Sequence, residues 1–434
     1  MGQPVKRAVV VAAGQDAEAA TDLLRTDGWQ VLRSGDGTAD EAKPSLLVVD
    51  EWTAETAPQV MAARRAGIPV TVLAELILER TPRRVVAVTG TAGKTTTSRL
   101  LATILAHDAL APLITPHGRA ANAWPNAALV GQALVAGGPL VVELTSTHLC
   151  YMEAWSGPDV AVVTNLWPDH VELHGSLAAY VAAKRRILVR SDRPMVLNAD
   201  DHRGRALLDP PRSHDVVWFS QSTAVPRGAW LENGVLRVRW DGSVDDVAVI
   251  GPAARWMHPG AVVAAAAAAL ACGARPAAIA TALASAPQLP HRFHEVGQVA
   301  GVRVIDDSMA ATPAKASAAI GRCDPCTLVL IVGGDAAVDG RAVHADPDGR
   351  AALEQAIDRA ANAAHLIAFG TAAARIADRC ESTITTPTLG DAIAVAADLA
   401  QTGSTILLAP MFPVVQPERA TFGERMLRTI ADRR

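Results

Sequence analysis

The chain has 434 residues, room for two or three domains with sizeable cores. Its formal net charge of -4 excludes the basic face that general nucleic-acid binding requires. Half of its residues are hydrophobic yet only 4% are aromatic; the excess is largely alanine, and no apolar run reaches the length of a bilayer span.

In chain order, strand-like and helix-like segments alternate almost throughout. That rhythm predicts α/β architecture with largely parallel sheets. The N-terminal MGQPVKRAVVVAAGQD runs straight into a strand-like pattern. It lacks the regions of a signal peptide, so the expected location is the cytoplasm. Residues 1 to about 80 carry RAVVVAAG, a helix (AEAATDLLRTDG), WQVLRSG, SLLVVDEW, a helix (APQVMAARRAG) and IPVTVLA. This is a small nucleotide-fold-like unit. Only Gly14 follows its first strand, so it has no G-x-G-x-x-G fingerprint for a dinucleotide.

TPRR (81–84) leads into VVAVTGTAGKTTTSRLLATIL, residues 85–105. A β-branched run ends at Gly90, a glycine-bearing turn follows, and Lys94-Thr95 open an amphipathic helix. Backbone N–H groups, a helix N-terminus, an ammonium and a hydroxyl are thereby brought around one point, which suits a polyphosphate with Mg²⁺. The common phosphate loop has glycine five residues before the Gly-Lys-Thr glycine; here that position is Val88, and Gly90 sits three before Gly93 instead. Gly90, Thr91, Gly93, Lys94, Thr95 and Thr96 are the candidate nucleotide contacts.

Further along, polar residues gather at strand ends, where ligands bind in open α/β sheets. Glu143 ends PLVVE; Asn165, Asp169 and His170 follow DVAVVT; Asn198, Asp200 and Asp201 follow RPMVL. Glu143 is suited to Mg²⁺, which prefers hard oxygen ligands. His170 is suited to a second Mg²⁺ or to a phosphate. Lys184 lies on the intervening helix beside Arg185 and Arg186, and spacing alone leaves open a solvated helix lysine. Strand-like VVWFS, GVLRVRW and DDVAVIG come next, then alanine helices including AVVAAAAAALA (261–271). PQLPHRF (287–293) is a proline-bearing junction. The last block begins with VRVIDDS and TLVLIVGGD and continues the α/β rhythm to a final amphipathic helix. Five cysteines are expected to be reduced. Cys323 and Cys326 form C-x-x-C around a proline with no second pair nearby, which reads as a turn with incidental thiols.

Together GTAGKTTT (90–97), VVELTSTHL (141–149), TNLWPDHVELHGSLAAYVAAKRRIL (164–188), LNADD (197–201), PHRF (290–293), DDS (306–308) and LVLIVGGD (328–335) resemble the Mur ligase family, in family order across nearly the whole chain. The resemblance is greatest to its glutamate-adding branch. It implies three domains: a Rossmann-like acceptor-binding domain (1–81), a central P-loop ATPase domain (82–292) and a Rossmann-like amino-acid-binding domain (293–434). It implies ATP and Mg²⁺ as cofactors, an acyl-phosphate route to an amide, and small-molecule substrates: a UDP-N-acetylmuramoyl-alanine acceptor and D- or L-glutamate. No nucleic-acid or membrane partner is expected, and a monomer is. Lys94 would neutralise β/γ-phosphate charge, while Thr95, Glu143, His170 and Lys184 would serve the metals, Lys184 as the lysine that the family carbamylates. Asn122 falls near the family's catalytic asparagine, and Arg292 and Asp307 match residues that reach the nucleotide.

The departures from the family pattern are equally specific. Met309, Ala310 and Ala311 follow Asp307-Ser308 where the branch carries lysine and threonine. No lysine follows GGD, and a serine-bearing segment becomes APMFPVV (409–415). The first unit has VVDEW (48–52) in place of a Ser-Pro-Gly turn, and His258-Pro259 replaces a His-Asn pair near the adenine. These changes predict a rebuilt amino-acid site and altered sugar-nucleotide and adenine sites. They also keep two other functions in view: a ligase of specialised metabolism with a different acid and amine, and a non-catalytic ligase-derived partner protein, which predicts a damaged phosphate loop.

Overall fold

The structure, a computed structural model, describes residues 6–33, 44–114, 127–190, 192–208, 216–249, 256–338, 341–414 and 420–433. The chain divides into two compact units. The first comprises 1–166, 178–254 and 258–286; the second comprises 167–177, 255–257 and 287–434.

Two sheets share the first unit. The smaller is parallel throughout, in the order Gln30–Arg33, Arg7–Val10, Leu46–Val48, Val70–Thr71. Helix Gly14–Thr26 buries Ala17, Ala20, Thr21 and Leu24, a spacing of three and four that makes one apolar stripe. Helix Pro58–Arg65 starts with proline at its first position, where a missing N–H costs nothing.

The larger sheet runs Ser243–Val249, Val235–Trp240, Gly228–Glu232, Val216–Ser220, Met195–Asn198, Val160–Val163, Val85–Thr89, Leu140–Glu143, Leu113–Ile114. Its strands are parallel from Gly228–Glu232 onward, and the first two join as antiparallel hairpins. Val85–Thr89 is buried along its whole length, as its unbroken apolar run requires of a strand covered on both faces. Helix Pro259–Ala271 packs on helix Lys94–His107 and on the sheet, and all of residues 261–271 are buried. Alanine on every side lets that helix be enclosed without bulky side chains to place.

Strand Gly228–Glu232 is absent from the elements expected from the sequence. Its signal is short, but the turn after it is explicit: Asn233 and Gly234 both take positive φ, and Glu232 pairs Val235 across the two-residue hairpin.

The second unit holds a six-stranded sheet in the order His294–Val299, Val302–Asp306, Thr405–Met411, Leu328–Gly333, His365–Phe369, Ile384–Thr386. Only the first pair is antiparallel. Apolar clusters cover both faces. The terminal helix Phe422–Asp432 contributes Phe422, Met426 and Ile430 to one of them. Cys323 and Cys326 flank a turn in which Asp324 accepts from the Cys326 N–H, and both thiols are free. Among the described residues no helix is long and apolar enough to cross a membrane.

Candidate active site

Strand Val85–Thr89 delivers the chain into a turn that only glycine can open. Gly90 has φ +141°, and a methyl carbon there would stand 1.9 Å from Thr164 Oγ1. Gly93, at φ +85°, is the left-handed N-cap of helix Lys94–His107. The turn is then pinned from the neighbouring strand. Thr91 N donates to Asn165 O at 2.9 Å. Ala92 N donates to Asn165 Oδ1 at 2.8 Å, and Ala92 O accepts from Asn165 Nδ2 at 3.1 Å. Asn165 therefore shapes the loop as a side-chain copy of a backbone pairing. The nearby Asn198, Asp200 and Asp201 hold loops as well: Asn198 Nδ2 donates to Thr164 O, Asp201 Oδ2 accepts from Leu166 N, and Asp200 accepts from Gln221 N and Ser220 Oγ.

Within this frame the predicted nucleotide and metal groups of the first unit converge. Lys94 Nζ folds back over the loop and donates to Gly90 O at 2.9 Å and to Thr91 O at 3.3 Å. Thr95 Oγ1 donates to Glu143 Oε2 at 3.0 Å, and Glu143 is only 1% exposed. A carboxylate and a hydroxyl side by side at a helix N-terminus form a hard-oxygen set that fits Mg²⁺. Thr96 is buried in the same first turn. Lys184 is 1% exposed and donates to Gly90 O at 3.0 Å and to Thr89 Oγ1 at 3.3 Å, so the solvated-lysine alternative is overturned. Arg185 beside it is exposed. The helix must turn one of its consecutive cations inward, and the sheet's position decides which.

The remaining candidates belong to the second unit or fall outside the described residues. Asp169 and His170 belong to the second unit, on the segment that precedes the short helix Val171–His174. His170 has φ +53°, and its Nε2 lies 3.7 Å from Asp169 Oδ1. The other Asp169 oxygen lies 3.7 Å from Lys315 Nζ. Lys315, in the first turn of helix Pro313–Ile320, was not singled out by the sequence reading; a lone lysine in AATPAKAS offers no pattern to find it by. Arg292 and Asp307 are neighbours in the second unit. Asp307 accepts from Phe293 N at 3.0 Å. Burial pushes its carboxyl up to about 6, opposed by the Phe293 N–H and the Arg292 guanidinium. Asp306 is 2.8 Å from His291 Nδ1 and accepts from Ser308 N. Asn122 lies outside the described residues.

The departures have structural counterparts. His258 Nδ1 accepts from Gly260 N at 3.1 Å and so caps the alanine helix, whose first position is Pro259. Met411, in APMFPVV, is buried at φ +68°; its N donates to Ala310 O and its O lies 3.1 Å from His344 Nε2. In the VVDEW turn, Glu51 Oε2 is 2.7 Å from His148 Nε2. Asp16 nearby has its carboxyl pushed up to about 7, by burial first and then by Glu51 and Asp50.

The sequence matches two family models: the Mur ligase middle domain over residues 88–249, and the Mur ligase, glutamate ligase domain over 291–412. The UDP-N-acetylmuramoylalanine–D-glutamate ligase of Frankia casuarinae is 35% identical over 425 residues, covering 93% of this chain and 84% of that protein. The enzyme of the same name from Acidobacterium capsulatum is 30% identical over 93% of this chain and 91% of its own length. Among solved structures, a pseudomurein peptide ligase type C from Methanothermus fervidus superposes with a TM-score of 0.62 at 16% identity, covering 98% of this chain and 100% of that one. MurF ligase from Thermotoga maritima, in complex with ADP, gives 0.60 at 18% identity over 99% and 95%. The structures share the fold, and two family models and relatives at 30–35% identity match the sequence: the chain belongs to the Mur ligase family of ATP-dependent, amide-forming ligases.

Proposed function

We propose that this ligase phosphorylates the carboxylate of UDP-N-acetylmuramoyl-alanine with ATP and joins the acyl phosphate to the amine of glutamate, D or L, acting as a cytoplasmic monomer. The observation that carries this reading is the Thr95–Glu143 oxygen pair beside Lys94 at the mouth of the glycine turn. Residues 82–292 would hold ATP, 1–81 the acceptor and 293–434 the amino acid.

The loop's backbone N–H groups and Lys94 receive the β- and γ-phosphates. Lys94 exchanges two neutral carbonyl acceptors for an anion, which makes a stronger charge-assisted bond. Thr95 and Glu143 would hold Mg²⁺, which when bound neutralises phosphate charge. His170 is a proposed ligand for a second ion, and Lys184 is proposed to serve the metals as a carbamate: its neutral amine attacks CO₂, the N–C bond forms as one C=O π pair moves onto oxygen, and a proton leaves to water. Arg292 and Asp307 are proposed further nucleotide contacts. Phosphoryl transfer demands positioning and charge neutralisation more than covalent help, and this residue set supplies both.

A second reading keeps the ligation and changes the acid and amine. It is favoured by the carboxylates of Asp16, Asp50 and Glu51 around the first sheet's strand ends, unsuited to a diphosphate, and by Met309 where the branch carries a clamping lysine. Phosphate release from ATP, Mg²⁺ and UDP-N-acetylmuramoyl-L-alanine with each glutamate enantiomer separates the two. Turnover with one enantiomer supports the first. No turnover with either, in a protein that still binds ATP, sinks that substrate pair. Lys94→Ala and Glu143→Ala are each expected to slow phosphate release by roughly a hundredfold or more; near-normal rates in either would remove the site from consideration.

A further inference from the structure

Tyr180 precedes Lys184 by one helical turn, and each is only 1% exposed. That spacing sets the tyrosine ring alongside the lysine, with Nζ 4.9 Å from the ring centroid. The phenol oxygen reaches past it to Thr91 Oγ1, at 2.6 Å. One side chain thus touches both the phosphate loop and the buried lysine beneath it. The loop has a second unusual feature. Gly90 O accepts from Lys94 at 2.9 Å and from Lys184 at 3.0 Å, so the side chains of both lysines meet at one carbonyl oxygen of the loop. Lys184 also faces the Tyr180 ring and the Thr89 hydroxyl. Phenylalanine would keep the ring and lose the Thr91 bond; leucine would lose both.

We propose that Tyr180 is a positioning residue for the nucleotide. Its hydroxyl fixes Thr91, so the glycine turn holds the shape that receives a polyphosphate. Its ring packs against Lys184, which stands behind Gly90 O in the same loop. The inference rests on the reading of residues 90–97 as the nucleotide's seat.

The test is calorimetric titration of the full chain with Mg-ATP, in wild type, Tyr180→Phe, Thr91→Val, the double variant, Thr91→Ser and Tyr180→Leu, each at a temperature where thermal melts show it folded. Tyr180→Phe and Thr91→Val should each weaken binding about tenfold, the worth of one hydrogen bond. The double variant should be no weaker than either single one, because both remove the same bond. Thr91→Ser keeps the hydroxyl and should bind within about twofold of wild type. Tyr180→Leu should bind a further threefold or so more weakly than Tyr180→Phe, through loss of the ring's packing against Lys184 behind the loop. Losses that multiply to about a hundredfold in the double variant, or wild-type binding by Tyr180→Phe, overturn the proposal. Equal binding by the Phe and Leu variants overturns the ring's part in it. If wild type does not bind ATP, the reading of the loop falls and takes this inference with it; if wild type binds and the variants multiply, only the positioning role falls.

Discussion

Gly90 carries two constraints at once. Its φ of +141° is a conformation that side chains resist, and the space where a methyl would go is held by Thr164 Oγ1 at 1.9 Å. Thr164 cannot easily withdraw, since its hydroxyl donates to Ala92 O at 2.6 Å within the same loop. Gly90→Ala should therefore cost about 2–4 kcal/mol of stability, from backbone strain and a forced shift together. Urea denaturation measures it, and a variant with unchanged midpoint and slope would show that the turn tolerates a side chain. At this scale the sequence was legible where a residue's chemistry is stated by its neighbours. Gly90, Gly93, Lys94 and Thr95 form a contiguous pattern, and Glu143 ends a strand. It was not legible for Lys315, and for Lys184 and Asn165 spacing marked the residues without their contacts. Which cation of Lys184-Arg185-Arg186 turns inward depends on the sheet beneath the helix, and Asn165 reveals its work only when the loop from an adjacent strand lies against it.

Helix Leu73–Leu78 docks the small sheet onto the large one around a buried acid. Glu75, 3% exposed, accepts from Thr71 Oγ1 at 2.5 Å and from Ala154 N and Trp155 N at 2.9 and 2.8 Å. Burial pushes its carboxyl up to about 7 from 4.5; the Thr71 hydroxyl opposes the shift and Glu79 adds to it. The folded state thus holds a proton that the unfolded chain releases between pH 4.5 and 7. Stability must fall as pH rises through that window, by up to about 3 kcal/mol from this group. Asp16, also raised to about 7, acts in the same direction. Glu75→Gln keeps an acceptor for the two N–H groups and removes the titration, so its loss of stability between pH 5 and pH 8 should be the smaller of the two. Equal pH dependence in variant and wild type would mean that Glu75 is ionised in the folded protein throughout. Most elements were legible as alternations of period two and three to four, because burial on one face leaves that mark. Strand Gly228–Glu232 was not, because it opens on glycine and alanine and its first three residues are all buried, so it shows no alternation. The Asn-Gly turn that follows it was the better signal.

At the scale of the whole chain, the order of motifs carried the architecture, because each α/β segment folds with its neighbours in sequence. That logic cannot show segments that leave their block: residues 167–177, with Asp169 and His170, cluster with the second unit although strands of the first flank them. Nor can it show that the two sheets of the first unit share one core, in which Val9, Leu24 and Ile77 join Leu140, Val163 and Leu197. A ligand held at the phosphate loop must therefore stabilise more than the loop. The turn is pinned by Thr164 and Asn165, and Glu143 ends a strand of the same sheet, so release of the nucleotide and loss of that sheet are linked events. Saturating Mg-ATP, at a hundred times its dissociation constant, should raise stability by about 2.7 kcal/mol. Thermal unfolding with and without nucleotide reads this as a rise in melting temperature. Lys94→Ala should lose most of the rise while melting near wild type without nucleotide, since Lys94 is itself partly exposed and bonds carbonyls of its own loop there. A full rise in Lys94→Ala would place the nucleotide somewhere other than the glycine turn.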